Sequence, residues 1–282
     1  DYSDIMGVIS FDGKWVAFAR ELEQIDCCYD APGDYHVWGN YDIYIVRIDG
    51  DLPAKPIRIG HGYWPSWGDD SRNTAKTLYY SFVEAYGKAS RESHNQIIYK
   101  TTISENGSFT PPEEYVDLGT DRRIGDAHLQ ISPNGRYVAF RDKYIRIYDI
   151  EKKADVFLSG GDGCHPSWGP YSRVLMWARR SVGFIDNGKW IKSEASGLGD
   201  YHYGSSQDMK WVITRQGSKG NDQNTPHDIM VYPVDASGNK WNINKEEGVL
   251  IGEGTWCDIH VLNAPLGTQP NYTAGIDGDG HV

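Results

Sequence analysis

Four histidines occupy one register. In "HLQISPNG", "HPSWGPYS", "HYGSSQDM" and "HVLNAPLG", His128, His165, His202 and His260 stand at the same spacing ahead of a turn. Imidazole nitrogen ligates zinc, copper, iron and also manganese, with geometry deciding among them. Four converging side chains of this type can share one divalent transition metal. Asp126, Asp200 and Asp258 each precede their histidine by two residues, in "DAH", "DYH" and "DIH". Residues two apart on a strand share a face, so these carboxylates are placed to orient the imidazoles or to add an oxygen ligand. Met6 is the counterpart in the first unit, after Asp4 in "DIM"; Trp64 is the counterpart in the second, with His61 just upstream. In "DGCH" Asp162 lies three residues ahead of His165, a spacing that needs a small bulge to match the others.

Metal-free readings stay open beside this one. Aspartate ahead of a strand often bonds loop N–H groups. Four histidines can also line a water-filled channel, or hold a ligand without an ion. Cys164 alternates away from His165 on a regular strand, which argues against both binding one ion. Cys27 and Cys28 are adjacent, a separation that strains a bridge between them. With Cys164 and Cys257 they are too few for a disulfide scaffold, and their pairing stays open.

The elements that must position these residues are strands. Residues 6–19 ("MGVISFDGKWVAFA"), 64–81, 128–141, 165–178 and 202–214 each read as strand, polar turn and second strand. Third strands follow in "YDIYIVRIDG", "YIRIYDIEKK" and "HDIMVYPVDASG", and fourth strands in "KPIRIG" and "EGVLIG". Helical periodicity is nowhere sustained. This repeat predicts an all-β propeller of four-stranded antiparallel blades. Five full units start near residues 4, 62, 126, 162 and 200, and an incomplete sixth starts at "TWCDIHVLNAPLG". About six blades is therefore the expectation, with five as the alternative. Residues 1–267 form the propeller, and 268–282 are a partial last-blade strand or a flexible acidic tail. Innermost strands of a propeller run side by side around its axis, which makes the shared histidine register a ring. The unfinished blade leaves a sheet edge that another protein chain could complete or cover.

Composition narrows the partners. The 282 residues are 39% hydrophobic and 24% charged, a globular balance with ample core material. The net charge of −11 disfavours nucleic acid and anionic lipid. No apolar run is long enough to insert in a membrane. With no leader at Asp1, a mature or trimmed chain is expected. Ten Trp and 19 Tyr suit packing between sheets, with sugar stacking as the functional alternative. No "GxSxG" elbow, P-loop, "HExxH" or "CxxCH" occurs. Residues 21–42, acidic and aromatic, form a long connection and a candidate surface for a partner or ligand.

"PSWGPYSRVLMWA" and "ISPNGRYVAF" resemble the blade motif of the TolB-type, WD40-like propeller family, and the likeness runs along nearly the whole chain. The resemblance implies the fold and a secreted, periplasmic or cell-surface setting. It says little of activity, because propellers host many functions. The histidine set is distantly similar to that of oligogalacturonate lyases, which hold manganese on axis through histidines and a glutamine. On that similarity His128, His165, His202 and His260 are the imidazoles and Gln130, in "HLQ", is the amide partner. A metal-dependent enzyme acting on carbohydrate in the axial funnel is then one reading, with Arg122, Arg123, Arg179 and Arg180 available to a uronate. No residue stands out as its base, and the negative charge repels polyuronates. The other reading is a metal-binding propeller that serves as a recognition or scaffold module.

Overall fold

The computed structural model describes residues 4–22, 41–50, 54–68, 76–83, 96–118, 130–141, 145–158, 166–168, 173–176, 181–186, 189–196, 201–206, 210–215, 227–237 and 240–254. All of its extended elements are strands, joined by turns and one short 3-10 turn at Lys245–Glu247. The first sheet is β1 (Asp4–Ile9), β2 (Trp15–Glu21), β3 (Tyr41–Arg47) and β4 (Ile57–His61), in that order. The second is β5 (Tyr63–Trp67), β6 (Lys76–Val83), β7 (Gln96–Ile103) and β8 (Glu113–Asp117). The third is β9 (Gln130–Ile131), β10 (Tyr137–Arg141), β11 (Ile145–Asp149) and β12 (Ala154–Leu158). Each is an antiparallel meander, as the repeats predict.

The fourth sheet departs from that simple series. It begins with β13 (Pro166–Trp168), β14 (Arg173–Met176), β15 (Ser181–Asp186) and β16 (Lys189–Ser196). It continues with β17 (Tyr201–Ser205), β18 (Trp211–Arg215), β19 (His227–Ser237), β20 (Lys240–Ile243) and β21 (Val249–Gly254). These nine strands are one sheet because β20 pairs in parallel with β16 over Glu194–Ser196 and antiparallel with the end of β19. The described residues therefore form four sheets, not about six or five separate blades. The physical reason is the length of β19: its first half pairs with β21, and its second half carries β20 across to the preceding repeat. The expected sixth unit lies outside the described residues.

The core is distributed between sheets. Trp15, Ala17, Ile43, Ile45 and Ile59 of the first sheet are buried with Tyr63, Trp64, Leu78 and Tyr80 of the second. Tyr79 and Ile98 meet Ile131, Val138 and Phe140 of the third. Tyr137, Ala139, Ile145 and Ile147 then meet Trp168, Ile185 and Trp190. Alternation along each strand sends one residue set forward and the other back. The innermost strands follow one another: β1 lies against β5, β5 against β9, β9 against β13, and β13 against β17. That is the propeller arrangement.

A local device sets the inner hairpins of the first and third sheets. Ser10 Oγ donates to Asp12 Oδ1 at 2.6 Å and accepts the Trp15 N–H at 3.0 Å, while Lys14 N–H donates to the same carboxylate oxygen. Ser132, Asn134, Arg136 and Tyr137 repeat every one of these bonds in the third sheet. The following glycine holds a left-handed φ, 69° at Gly13 and 76° at Gly135, which an L side chain resists. A second device ties sheets together. The indole N–H of Trp67 donates to the Val8 carbonyl at 3.1 Å, and that of Trp168 to the Gln130 carbonyl at 3.0 Å. Val8 and Gln130 occupy equivalent places in their repeats, as do Trp67 and Trp168.

Two carboxylates held in the turns and strands of this frame make it sensitive to acid. Burial opposes ionisation of Asp12, yet bonds from Lys76, Ser10 and the Lys14 N–H hold its carboxyl below the ordinary value. Asp149 is fully buried; that also opposes its charge, but Arg136 and the Lys152 N–H outweigh the cost and lower its pKa. A carboxyl depressed on folding stabilises above its unfolded pKa of about 3.9, and that contribution is lost as pH falls through the folded value. Thermal midpoints should therefore drop steeply below about pH 4. Asp12→Asn or Asp149→Asn should flatten that acid limb and cost about 1–3 kcal/mol at pH 7. An unchanged acid limb in both variants would remove these pairs from the explanation.

Candidate functional site

Three of the five inner strands, β1, β5 and β17, carry an irregularity at one place. On β1, Ile5 pairs with Ala19 and Val8 with Ala17, so the strand carries an extra residue at Met6–Gly7. On β5, Tyr63 pairs with Ser81 and Ser66 with Tyr79, which places the extra residue at Trp64–Pro65. On β17, Tyr201 pairs with Arg215 and Tyr203 with Thr214, which places it at His202. Met6, Trp64 and His202 are the register equivalents of one another. A β-bulge bends its strand and re-aims side chains, and bulges concentrate beside functional sites. Trp64 adopts a φ of 53° within its bulge, a conformation a bulky residue holds only when its surroundings enforce it.

His202 thus sits in β17, on an inner strand beside β13, as its register requires. His165 immediately precedes β13, and His128 stands two residues before β9. His128, His165, His260, Asp126, Asp200 and Asp258 lie outside the described residues, as do Arg122, Arg123, Arg179 and Arg180. Among the described residues no group of three or more His, Cys, Asp or Glu is placed to hold a metal. The bulge also changes one step of the sequence argument. Strict alternation fails across an extra residue, so Asp4 and Met6 need not share a face, and the two-apart rule does not by itself aim Asp200 with His202.

Gln130 has a definite role. Its Oε1 accepts the backbone N–H of Trp168 at 3.2 Å, and its own carbonyl accepts the Trp168 indole. The amide oxygen that the lyase likeness offers to an ion is here joined to the next inner strand.

A second polar cluster, not singled out by motif, lies where the first sheet passes to the second. Asp42 is buried at the start of β3 and accepts two bonds from Arg58, Nη2 at 3.0 Å and Nε. His61 Nδ1 lies 3.3 Å from Asp42 Oδ1, and its ring meets the Phe82 ring edge-on with centroids 5.7 Å apart. The bond to Asp42 raises the Arg58 pKa and keeps that guanidinium charged. Burial pushes the neighbouring Tyr80 phenol well above its ordinary value. The signal available in sequence was the pairing of Asp42 with His61 across β3 and β4, which needs the strand register to be known. Three residues from two strands make an ion pair with an imidazole attached.

Several long connections open onto the same end. Asp4 pairs with Arg20, Tyr63 with Ser81, and Tyr201 with Arg215, so each inner strand starts beside the close of its second strand. The chain between Glu21 and Tyr41, between Val83 and Gln96, and between Arg215 and His227 leaves and re-enters there. His202 and the strand ends that flank these connections lie at one end of their sheets.

Sheets of this order, with inner strands side by side and TolB/WD40-like repeats in the chain, define a β-propeller. No family model matches the chain, and no curated protein does. Among solved structures, it is similar to TolB from Acinetobacter baumannii, at 12% identity and a TM-score of 0.46. That match covers 82% of this chain, which spans about half (52%) of the TolB structure. It is also similar to the β-propeller domain of Myceliophteria thermophila Cps50 (Swd1), at 7% identity, 92% of each chain and a TM-score of 0.43. A third likeness is to the Niastella koreensis GH74 enzyme, at 13% identity and a TM-score of 0.36, over 92% of this chain and 38% of that one. No helix among the described residues is long and apolar enough to cross a membrane.

Proposed function

We propose that this protein is a metal-binding propeller that works outside the cytoplasm as a recognition or scaffold module. One divalent transition metal (zinc, copper, manganese or iron) sits on the propeller axis, held by His128, His165, His202 and His260. Asp126, Asp200 and Asp258 orient the imidazoles or add an oxygen, and Met6 is their histidines' register counterpart in the first repeat. The observation that carries this reading is the bulge at one register in three inner strands, at Met6, Trp64 and His202. A bulge re-aims its side chain, and repetition at one register suits side chains that converge on a common axial point. The extracytoplasmic setting rests on the TolB-type motif of the repeats. The face onto which the long connections open is where a protein or carbohydrate partner binds, and the net charge of −11 disfavours nucleic acid.

Imidazoles bind metal only when neutral, so occupancy should fall as pH drops below about 6.5. Elemental analysis of the purified chain should find about one equivalent of transition metal per chain. The double variant His128→Ala/His202→Ala should lose it, with its circular dichroism spectrum preserved. His61→Ala should keep it, because His61 belongs to the Asp42 cluster. Equal metal in native protein and double variant would reject the ring, and loss in His61→Ala alone would move the site to Asp42.

A further inference from the structure

Three arginines among the described residues grip an aspartate side-on, through Nε and Nη2 together: Arg47 on Asp49, Arg58 on Asp42 and Arg136 on Asp149. That grip uses one edge of the guanidinium and leaves Nη1, with the second hydrogen of Nη2, as another donor edge. In two of the three cases the protein fills that edge. Arg47 Nη1 donates to the Glu105 carbonyl at 2.9 Å, and Arg136 Nη1 lies 3.0 Å from Glu151 Oε2. Arg58 differs. Among the described residues its bonds go to Asp42 alone. Its side chain is also the most exposed of the three, at 57% against 42% for Arg47 and 31% for Arg136.

The surroundings of Arg58 hold its outer edge in place. Asp42 is 3% exposed, and a carboxylate so buried keeps its charge only while it is paired. His61 Nδ1 approaches the same carboxylate at 3.3 Å, as Lys152 Nζ approaches Asp149 at 4.0 Å. Tyr44 stands directly opposite Arg58 across β3 and β4, its ring stacked on Phe18. His61 meets Phe82 edge-on, Phe82 meets Tyr99 in the same way, and Tyr99 stacks on Tyr80. In the third sheet, then, Arg136 and Lys152 serve two carboxylates, Asp149 and Glu151. In the first sheet Arg58 and His61 serve one. We propose that the Arg58 guanidinium, fixed by Asp42 beside His61, binds one carboxylate of an external ligand in the manner that Arg136 holds Glu151. A guanidinium edge matches both oxygens of a carboxylate at once. The carboxylate comes from a free organic acid or from an acidic side chain of a peptide, and the net charge of −11 disfavours a polyanion. The inference stands apart from the axial metal, because none of these residues belongs to the histidine register.

The test is an NMR titration of the full chain with sodium acetate, with the peptide acetyl-Gly-Glu-Gly-amide, and with its Gln counterpart. Sodium chloride at equal ionic strength is the blank. The Arg58 Nε signal and the backbone amides of Gly60 and His61 should shift saturably with either acid, with a Kd on the order of 1–10 mM. The Nε signals of Arg47 and Arg136, whose outer edges are occupied, should stay in place. Arg58→Lys keeps a charge beside Asp42 but lacks the fork. It should weaken binding roughly tenfold, read at the Gly60 and His61 amides, with a melting curve to confirm the fold. Tighter binding of the Glu peptide than of acetate would support an acidic side chain as the source, and the reverse order would support a free acid. No saturable shift with either acid would overturn the proposal. So would an equal shift with the Gln peptide or with chloride, or undiminished binding in Arg58→Lys.

Discussion

Deletion of Tyr203 should abolish the axial metal binding proposed above while leaving the propeller folded. Tyr201 and Tyr203 pair with the consecutive residues Arg215 and Thr214, so β17 holds one residue too many. Removing Tyr203 lets His202 pair with Thr214 as an ordinary ladder residue. Its Cα then shifts along a ladder whose rise is about 3.3 Å per residue, whereas ligation distances tolerate only about 0.2 Å. Metal affinity should fall by roughly 100-fold or more, the order reached when even supporting groups around a metal are lost. The cost to the fold should be about 1–2 kcal/mol, because bulges sit at strand positions where pairing is already broken. In thermal terms that is a shift of roughly 2–8 °C. Metal titration monitored by calorimetry, beside a melting curve, separates the two effects. Undiminished affinity in the deletion variant would mean that the bulge plays no part in presenting His202.

What the sequence made legible follows from locality. The turn residues Ser10, Asp12 and Gly13, and their counterparts Ser132, Asn134 and Gly135, form every bond within a few positions of one another. Their pattern therefore survives as a motif, and the strand-turn-strand repeat could be read from it. The sheet count could not be read in this way. Parallel pairing of β16 with β20 joins residues more than forty positions apart, and nothing in either strand announces it. The histidine register was visible as spacing, but the bulges beneath it were not. A bulge is a relation between two strands, and the alternation rule applied to one strand hides it. The partnership of Asp42, Arg58 and His61 was hidden for the same reason: it depends on β3 pairing with β4. Gln130 was legible as a polar residue on an inner strand, whereas its engagement with Trp168 required the neighbouring sheet.

Gly62→Ala should be among the most damaging single methyl additions in the chain. Gly62 is the one residue between β4 and β5, and its N–H donates to the Tyr41 carbonyl at 2.9 Å. Its φ of 156° is a value that L side chains rarely adopt. An added Cβ would lie 2.6 Å from the Ser81 carbonyl oxygen and 2.6 Å from Tyr80 Cδ2. Neither neighbour can yield. Ser81 is fully buried within β6 and its Oγ donates to the Tyr63 carbonyl, while Tyr80 is buried and stacked on Tyr99. Overpacking of this kind, added to backbone strain, costs about 2–4 kcal/mol. The melting midpoint should fall by roughly 5–12 °C. Gly50→Ala serves as the reference, because an added Cβ there meets nothing within 4 Å, and its effect should stay within about 0.5 kcal/mol. Because Gly62 delivers the chain to the strained turn at Trp64, the substitution tests how closely the first two sheets approach beside the axis. A midpoint change as small as that of Gly50→Ala would mean that the sheets stand further apart than the packing of Tyr80 and Ser81 requires.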